Sequence, residues 1–199
     1  MTILAIDTTG EHGSIALVNE AGVLEEVPLH APGGFAHVLF DAIEELLNRH
    51  GLSAAELDGF ACASGPGSFT GVRVGLAAAK GLAEAAGRKV VALSNLRVAA
   101  SFGAGLLRAV MIDARRGEIY GAVYDAELRC IQDEVVAKRE QWEAGLPHGV
   151  EFVAPGSRAL AGALGRIALG EFAKGHAVDP SEVDANYVRR SDAELFWKE

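Results

Sequence analysis

Eleven residues from Gly65 to Gly75, Gly-Pro-Gly-Ser-Phe-Thr-Gly-Val-Arg-Val-Gly, are the stretch of this sequence best suited to chemistry. A loop like this, set between a strand and a helix, presents backbone N–H groups to which a phosphate can bind. It matches neither common nucleotide pattern. A P-loop needs Gly-Lys followed by Ser or Thr, whereas this loop runs Gly71-Val72-Arg73. The dinucleotide pattern needs glycines at relative positions 1, 3 and 6. These fall at 65, 67 and 71. Tight turning and close packing account for the same glycines. Arg73 could hold an anion or pair with a carboxylate. Ser68 does not sit in Gly-x-Ser-x-Gly, the setting of an exposed nucleophile.

Other candidates are sparser. The six histidines show no ligand spacing. His37 and Asp41, four apart on an expected helix, could hold one face of a metal or form a solvated pair. No metal site is expected on this chain. Cys62 and Cys130 lie in apolar surroundings and are read as buried thiols, too few for a disulfide scaffold.

The elements that position these residues come in the same order twice. Strands are expected at 2–7, 13–18 and 23–27, a helix at 35–50, and a strand near 59–63. A helix at 72–86, a strand at 89–93 and a helix from about 95 follow. The second half offers strands at 107–113, 118–124 and 128–136, a short helix near 139–144 and a strand at 150–154. A helix at 158–169, a strand near 175–178 and a polar tail complete it. Three strands and then alternating helix and strand, repeated, predict two mixed-sheet α/β lobes. This is the duplicated ribonuclease-H-like fold of the actin, sugar kinase and Hsp70 (ASKHA) superfamily. The first lobe spans 1–104, and a smaller second lobe with the tail spans 105–199. Asp7 and Asp113 each end the first strand of a half. Kinases of this fold use such carboxylates for magnesium or as a base. Asp7, Thr8, Thr9, Arg73 and Asp113 are therefore a candidate vestigial nucleotide or anion site.

Half of the residues are hydrophobic and 23% are charged, which excludes a disordered chain. No apolar run is long enough to cross a bilayer and no basic leader opens the chain, so a cytoplasmic protein without membrane partners is expected. The formal charge is −9. All of it lies in residues 1–60, where ten carboxylates face only Arg49. An acidic half repels phosphate, so any nucleic acid would be held mainly by a partner.

Four stretches together resemble the TsaB (YeaZ) family: Asp7-Thr8-Thr9; the glycine string with Lys80-Gly81-Leu82-Ala83 behind it; Asp113-Ala114-Arg115-Arg116-Gly117-Glu118-Ile119-Tyr120; and Asn186-Tyr187-Val188-Arg189-Arg190. The resemblance implies a part in making N6-threonylcarbamoyladenosine at position 37 of tRNAs that read codons beginning with A. It implies a non-catalytic scaffold for a larger catalytic paralogue, TsaD, joined by a small ATPase, TsaE. tRNA is reached through the complex, and a homodimer forms where the paralogue is absent. ATP and a metal ion belong to the partner subunits, and no cofactor belongs to this chain. The paralogue binds metal with a His-x-x-x-His pair. Aligned from Gly65, that pair falls on Asn95 and Ala99, which supply no usable ligand pair.

The helices at 35–50 and 72–86 are apolar over more than the roughly 100° stripe that one sheet covers. Phe35, Leu39, Phe40, Ile43 and Leu47, with Phe69, Val72 and Leu76, are accordingly expected to bind a partner, as the resemblance implies for the first-lobe helices. Rival readings are a small-molecule kinase or ATPase using the interlobe cleft, a peptidase-like enzyme of the same superfamily, and a purely structural homodimer. Arg115, Arg116, Arg189 and Arg190 are either a tRNA contact or solvated pairs.

Overall fold

The computed structural model describes residues 1–189; Arg190 and the end of the tail lie outside the described residues. The first sheet combines β1 (Thr2–Asp7), β2 (His12–Asn19) and β3 (Gly22–His30) with β4 (Gly59–Gly65) and β5 (Val90–Ser94). Its order is β3-β2-β1-β4-β5. The first three strands form an antiparallel meander, and β4 and β5 add in parallel on the other side of β1.

Both faces of this sheet are buried, which is why its central strands look nearly continuously apolar in sequence. Alternate residues serve different cores. Leu4, Ile6, Ile15, Leu17, Phe60 and Cys62 face α1 (Leu39–Arg49) and α2 (Phe69–Ala86). The opposite face is built mostly of smaller residues, including Ile3, Ala5, Ala16, Val18, Ala61 and Ala63.

That small-residue face is covered by α5 (Ala161–Ala173), a helix from the second half of the chain. Gly165 lets it approach, since a Cβ there would sit 2.5 Å from Val18 Cγ2. Its first amides are satisfied by the sheet. Ser14 Oγ accepts from Leu160 and Ala161 N–H at 3.1 and 2.9 Å, and Glu26 accepts from Gly162 N–H at 2.8 Å. The division at 104 assigned this helix to the second lobe, and the structure corrects that: it completes the first.

The second sheet has β6 (Leu107–Arg115), β7 (Glu118–Asp125), β8 (Cys130–Lys138) and β9 (Glu151–Val153), in the order β8-β7-β6-β9. It repeats the first sheet's order, without a fifth strand among the described residues. The segment expected as that strand instead makes a single bridge from Val178 to Val90, on the edge of the first sheet. One face packs on α3 (Asn95–Ala100) through Leu96, Ala99, Val110, Ala122 and Tyr124. The other holds Trp142 of α4 (Arg139–Glu143), seated over Gly121.

Two boundaries depart from the periodicity. The helix expected from residue 35 is broken: Phe35–His37 form a separate 3₁₀ turn, with Phe35 buried against Gly13, and α1 starts at Leu39. His37 therefore does not share a helix with Asp41. Helix α2 begins at Phe69, because Ser68 Oγ accepts from Gly71 N–H at 3.3 Å, and it ends at Gly87 with φ 62°. Among the described residues, no helix is long and apolar enough to cross a membrane.

Candidate functional site

The two lobes enclose a cleft of about 830 Å³. On the first-lobe side it is lined by Thr9, Gly10, Glu11 and the loop from Pro66 to Phe69. Asp113, Arg115, Arg116 and Tyr120 line the second-lobe side.

The glycine loop forms the cleft floor, and three of its donors are used within the chain. Gly65 N–H donates to Asn95 Oδ1 at 3.0 Å, Ser68 N–H to the Thr9 carbonyl at 2.7 Å, and Gly71 N–H to Ser68 Oγ. The glycines admit the chain's own backbone. A Cβ at Gly67 would lie 2.5 Å from the Thr9 carbonyl oxygen, one at Gly75 would lie 2.5 Å from Thr8 Oγ1, and one at Gly71 would overlap the Thr8 carbonyl oxygen. Thr8 Oγ1 in turn donates to the Gly71 carbonyl at 2.7 Å. Thr8 and Thr9 thus occupy the space that side chains at these three glycines would take.

The five residues of the candidate anion site do not converge. Asp7 is buried, with Oδ1 accepting from Thr9 N–H at 3.0 Å and Thr9 Oγ1–H at 2.6 Å. Burial pushes its carboxyl up, and the Thr9 hydrogen bonds only partly oppose this. Its Oδ1 is committed to the Thr9 hydrogen bonds rather than presented to the cleft, whose lining does not include Asp7. Only Thr9 and Asp113 line the cleft. Arg73 does not pair with a carboxylate among the described residues. Its guanidinium lies 3.7 Å over the Phe69 ring, and its Nε donates to Tyr187 Oη at 2.9 Å.

Asn95 carries the clearest message. It is 2% exposed, accepts from Gly65 N–H, and donates through Nδ2 to Thr9 Oγ1. Ala99 is fully buried in the core beneath the second sheet. The two positions expected to align with a metal-binding pair hold a structural amide and a core methyl.

The first-lobe helices divide sharply. Phe35, Leu39, Ile43, Leu47, Val72 and Leu76 are core residues packed against the sheet, so their expected place on an outer face is corrected. The wide apolar arc reflects a helix sunk between sheet and neighbouring turns. Phe40 and Phe69 are different, at 55% and 48% exposed. Phe69 continues into a surface stack with Arg73 and Tyr187, its ring centroid 5.7 Å from that of Tyr187.

Tyr187 belongs to a strap, the stretch 186–189 that carried part of the family resemblance but was given no structural role by the sequence. Lys80 Nζ donates to the Val183 carbonyl and Asn186 N–H to the Ser64 carbonyl, both at 2.8 Å on the first lobe. Asn186 Nδ2 then reaches Glu134 Oε2 at 2.6 Å, and Arg189 pairs with Glu118, both on the second. The aromatic residue beside two arginines was the available signal in the tail. The second thiol was also misplaced: Cys62 is buried, whereas Cys130 is exposed at the start of β8.

A meander followed by parallel strands, repeated in a second lobe across a cleft, defines a two-lobed α/β protein of the duplicated ribonuclease-H-like, ASKHA-type class. The family model for TsaD, tRNA N6-adenosine threonylcarbamoyltransferase, matches residues 19–156. The chain belongs to that family, and its relatives place it with the TsaB (YeaZ) proteins. It is similar to the tRNA threonylcarbamoyladenosine biosynthesis protein TsaB of Escherichia coli, 38% identical over 132 residues, covering 64% of this chain and 56% of that protein. The Bacillus subtilis TsaB is 37% identical over 127 residues, 62% of this chain and 55% of that protein. The chain spans about half the length of the curated relatives it matches. The solved structure of YeaZ from Pseudomonas aeruginosa superposes with a TM-score of 0.80 at 27% identity, covering 94% of this chain and 99% of that one.

Proposed function

We propose that this chain is a non-catalytic subunit of the machinery that adds threonylcarbamoyl to N6 of adenosine 37 in tRNAs reading codons that begin with A. It docks on the catalytic paralogue, a TsaD-type threonylcarbamoyltransferase. The observation that carries this reading is Asn95, which ties the glycine loop to the first turn where the catalytic paralogue needs an imidazole. The names of the relatives supply the pathway.

Docking acts through Phe40 and Phe69 on the outside of α1 and α2. It activates only if it favours the competent state of the paralogue over its other states. ATP and the metal ion reside on the partner subunits, a TsaE-type ATPase joins the pair, and a homodimer forms when the paralogue is missing. The assembly works in the cytoplasm.

The test is tRNA modification reconstituted with paralogue, ATPase and threonylcarbamoyl-adenylate donor, with and without this chain. Product that requires the chain, from a chain that alone modifies nothing, is the expected result. Equal product without it would overturn the reading.

A further inference from the structure

We infer that His12 and His30 form a two-imidazole site for a divalent transition-metal ion of the zinc, nickel and copper type, at the open end of the β2–β3 hairpin. The two lie eighteen residues apart, a separation that marks no ligand pair in the sequence. The hairpin makes them direct partners, His12 opposite His30 in the antiparallel register. Side chains opposed in this way stand on the same face of the sheet, with Cβ atoms about 4.5–5.5 Å apart. Both residues are exposed, and their Nδ1 atoms approach to 3.1 Å. His50 and His176 are engaged differently, each by a carboxylate, that of Glu25 or Glu171.

The separation suits a shared ion. Imidazole nitrogens bind zinc at about 2.0–2.1 Å, so two on one ion stand about 2.9–3.4 Å apart between right-angled and tetrahedral coordination. Without metal the same contact is a hydrogen bond, one ring donating its Nδ1–H and the other accepting. Binding an ion moves the donor ring to its Nε2–H tautomer, which frees both Nδ1 lone pairs. The rings are near-parallel, with 26° between their planes and centroids 4.8 Å apart. A histidine's χ2 torsion is broad, so both rings can turn toward one ion over a fixed backbone. That backbone is fixed at His30 by its pairing with β2, which is itself paired to β1 on its other side.

Imidazole selects the class of ion. It suits zinc, nickel and copper, whereas magnesium and calcium take oxygen ligands. Among the described residues no third His, Cys, Asp or Glu completes the pair, so water fills the other positions and the ion exchanges freely. The site has a mechanical role. Strand β3 is the outer strand of its sheet, and the chain leaves it at His30 toward Phe35, which packs on Gly13 beside His12. An ion between the rings ties the end of this edge strand to β2, just where the chain turns toward α1. None of this depends on the proposed function, so either reading can fail alone.

The experiment titrates zinc chloride into the full chain, without an affinity tag, near neutral pH. Calorimetry is expected to show one saturable site. With free zinc about a hundred-fold above Kd, the thermal midpoint rises by about 5–10 °C. Copper(II) binds more tightly than zinc, and magnesium leaves the midpoint where it was. His12→Ala and His30→Ala each keep the metal-free midpoint and lose the zinc-dependent rise. Histidine ring resonances of the unaltered chain give a measurement that needs no variant: zinc should move two of the six. Absence of saturable binding would overturn the site. So would a rise that survives both substitutions, or resonance shifts confined to other histidines. An equal rise with magnesium would place the ions on the acidic surface of residues 1–60 and overturn it as well.

Discussion

Phe40 is a large apolar side chain left in water on a helix whose other apolar residues are mostly buried. Replacing a surface residue that touches no core changes stability by about 0.5 kcal/mol or less. Phe40→Asp should keep its denaturation midpoint while losing association with the paralogue, read by size-exclusion chromatography. A variant that unfolds would place Phe40 in the core. The cysteines make a second residue-scale pair. Burial raises the Cys62 thiol to about 12, with Lys80 only partly opposing it, so it is a poor nucleophile. Thiol-reagent titration of the native chain should label Cys130 alone, with Cys62 reacting only on unfolding. Asn95 differs from both because its two bonds join separate segments. Asn95→Ala leaves Gly65 N–H without its buried partner and should cost about 2 kcal/mol in denaturant unfolding.

At the scale of elements, the junction between α2 and the turn after β1 decides what the cleft floor can hold. Gly71→Ala would drive a methyl into the Thr8 carbonyl oxygen. It should destabilise the chain by about 3 kcal/mol, measured by chemical denaturation, because backbone rather than a flexible side chain must yield. This junction shows where sequence reasoning reaches and where it stops. Strands β1 and β2 were legible as short apolar runs bounded by turn residues, their alternate side chains feeding two different cores. The glycine spacing revealed a tight loop as well. Its occupant was not legible, because Thr8 and Thr9 lie almost sixty residues earlier and their fit depends on the completed sheet. Helix 158–169 could be read as a helix, yet its partner could not. The match of Gly165 to Ala5 and Val18 is a relation between distant small residues that carries no periodic signature. The outer face of α1 failed for a related reason. Apolar width cannot separate a deeply seated helix from one with a second partner.

For the molecule as a whole, two sets of long-range ties join its parts. The strap links both lobes through Asn186, so Asn186→Ala should loosen the second lobe against the first while the Ser64 bond, made by backbone, persists. Faster hydrogen exchange in β7 and β8 would report it. The other tie is Glu171 on α5, bonded by Arg97 on α3, Lys174 and His176. Burial pushes its carboxyl up, but the bonds from His176, Arg97 and Lys174 outweigh that and hold it at about 2. A depressed carboxylate contributes stability above its unfolded value, near 4.5, that is lost as pH falls toward about 2. Acid titration of stability should therefore show a loss across that window that is absent in Glu171→Gln.

The late arrival of α5 has a consequence for the chain while it is being made. The first sheet has all five strands once Ser94 is synthesised, but the helix covering its small-residue face ends at Ala173. At about 5–20 residues per second, the ribosome takes roughly 4–16 s over the intervening stretch. Throughout that interval Ile3, Ala5, Ala16 and Val18 form an uncovered apolar floor, while the whole second sheet is translated. That face of the first sheet gains its cover only when the chain has been made as far as Ala173.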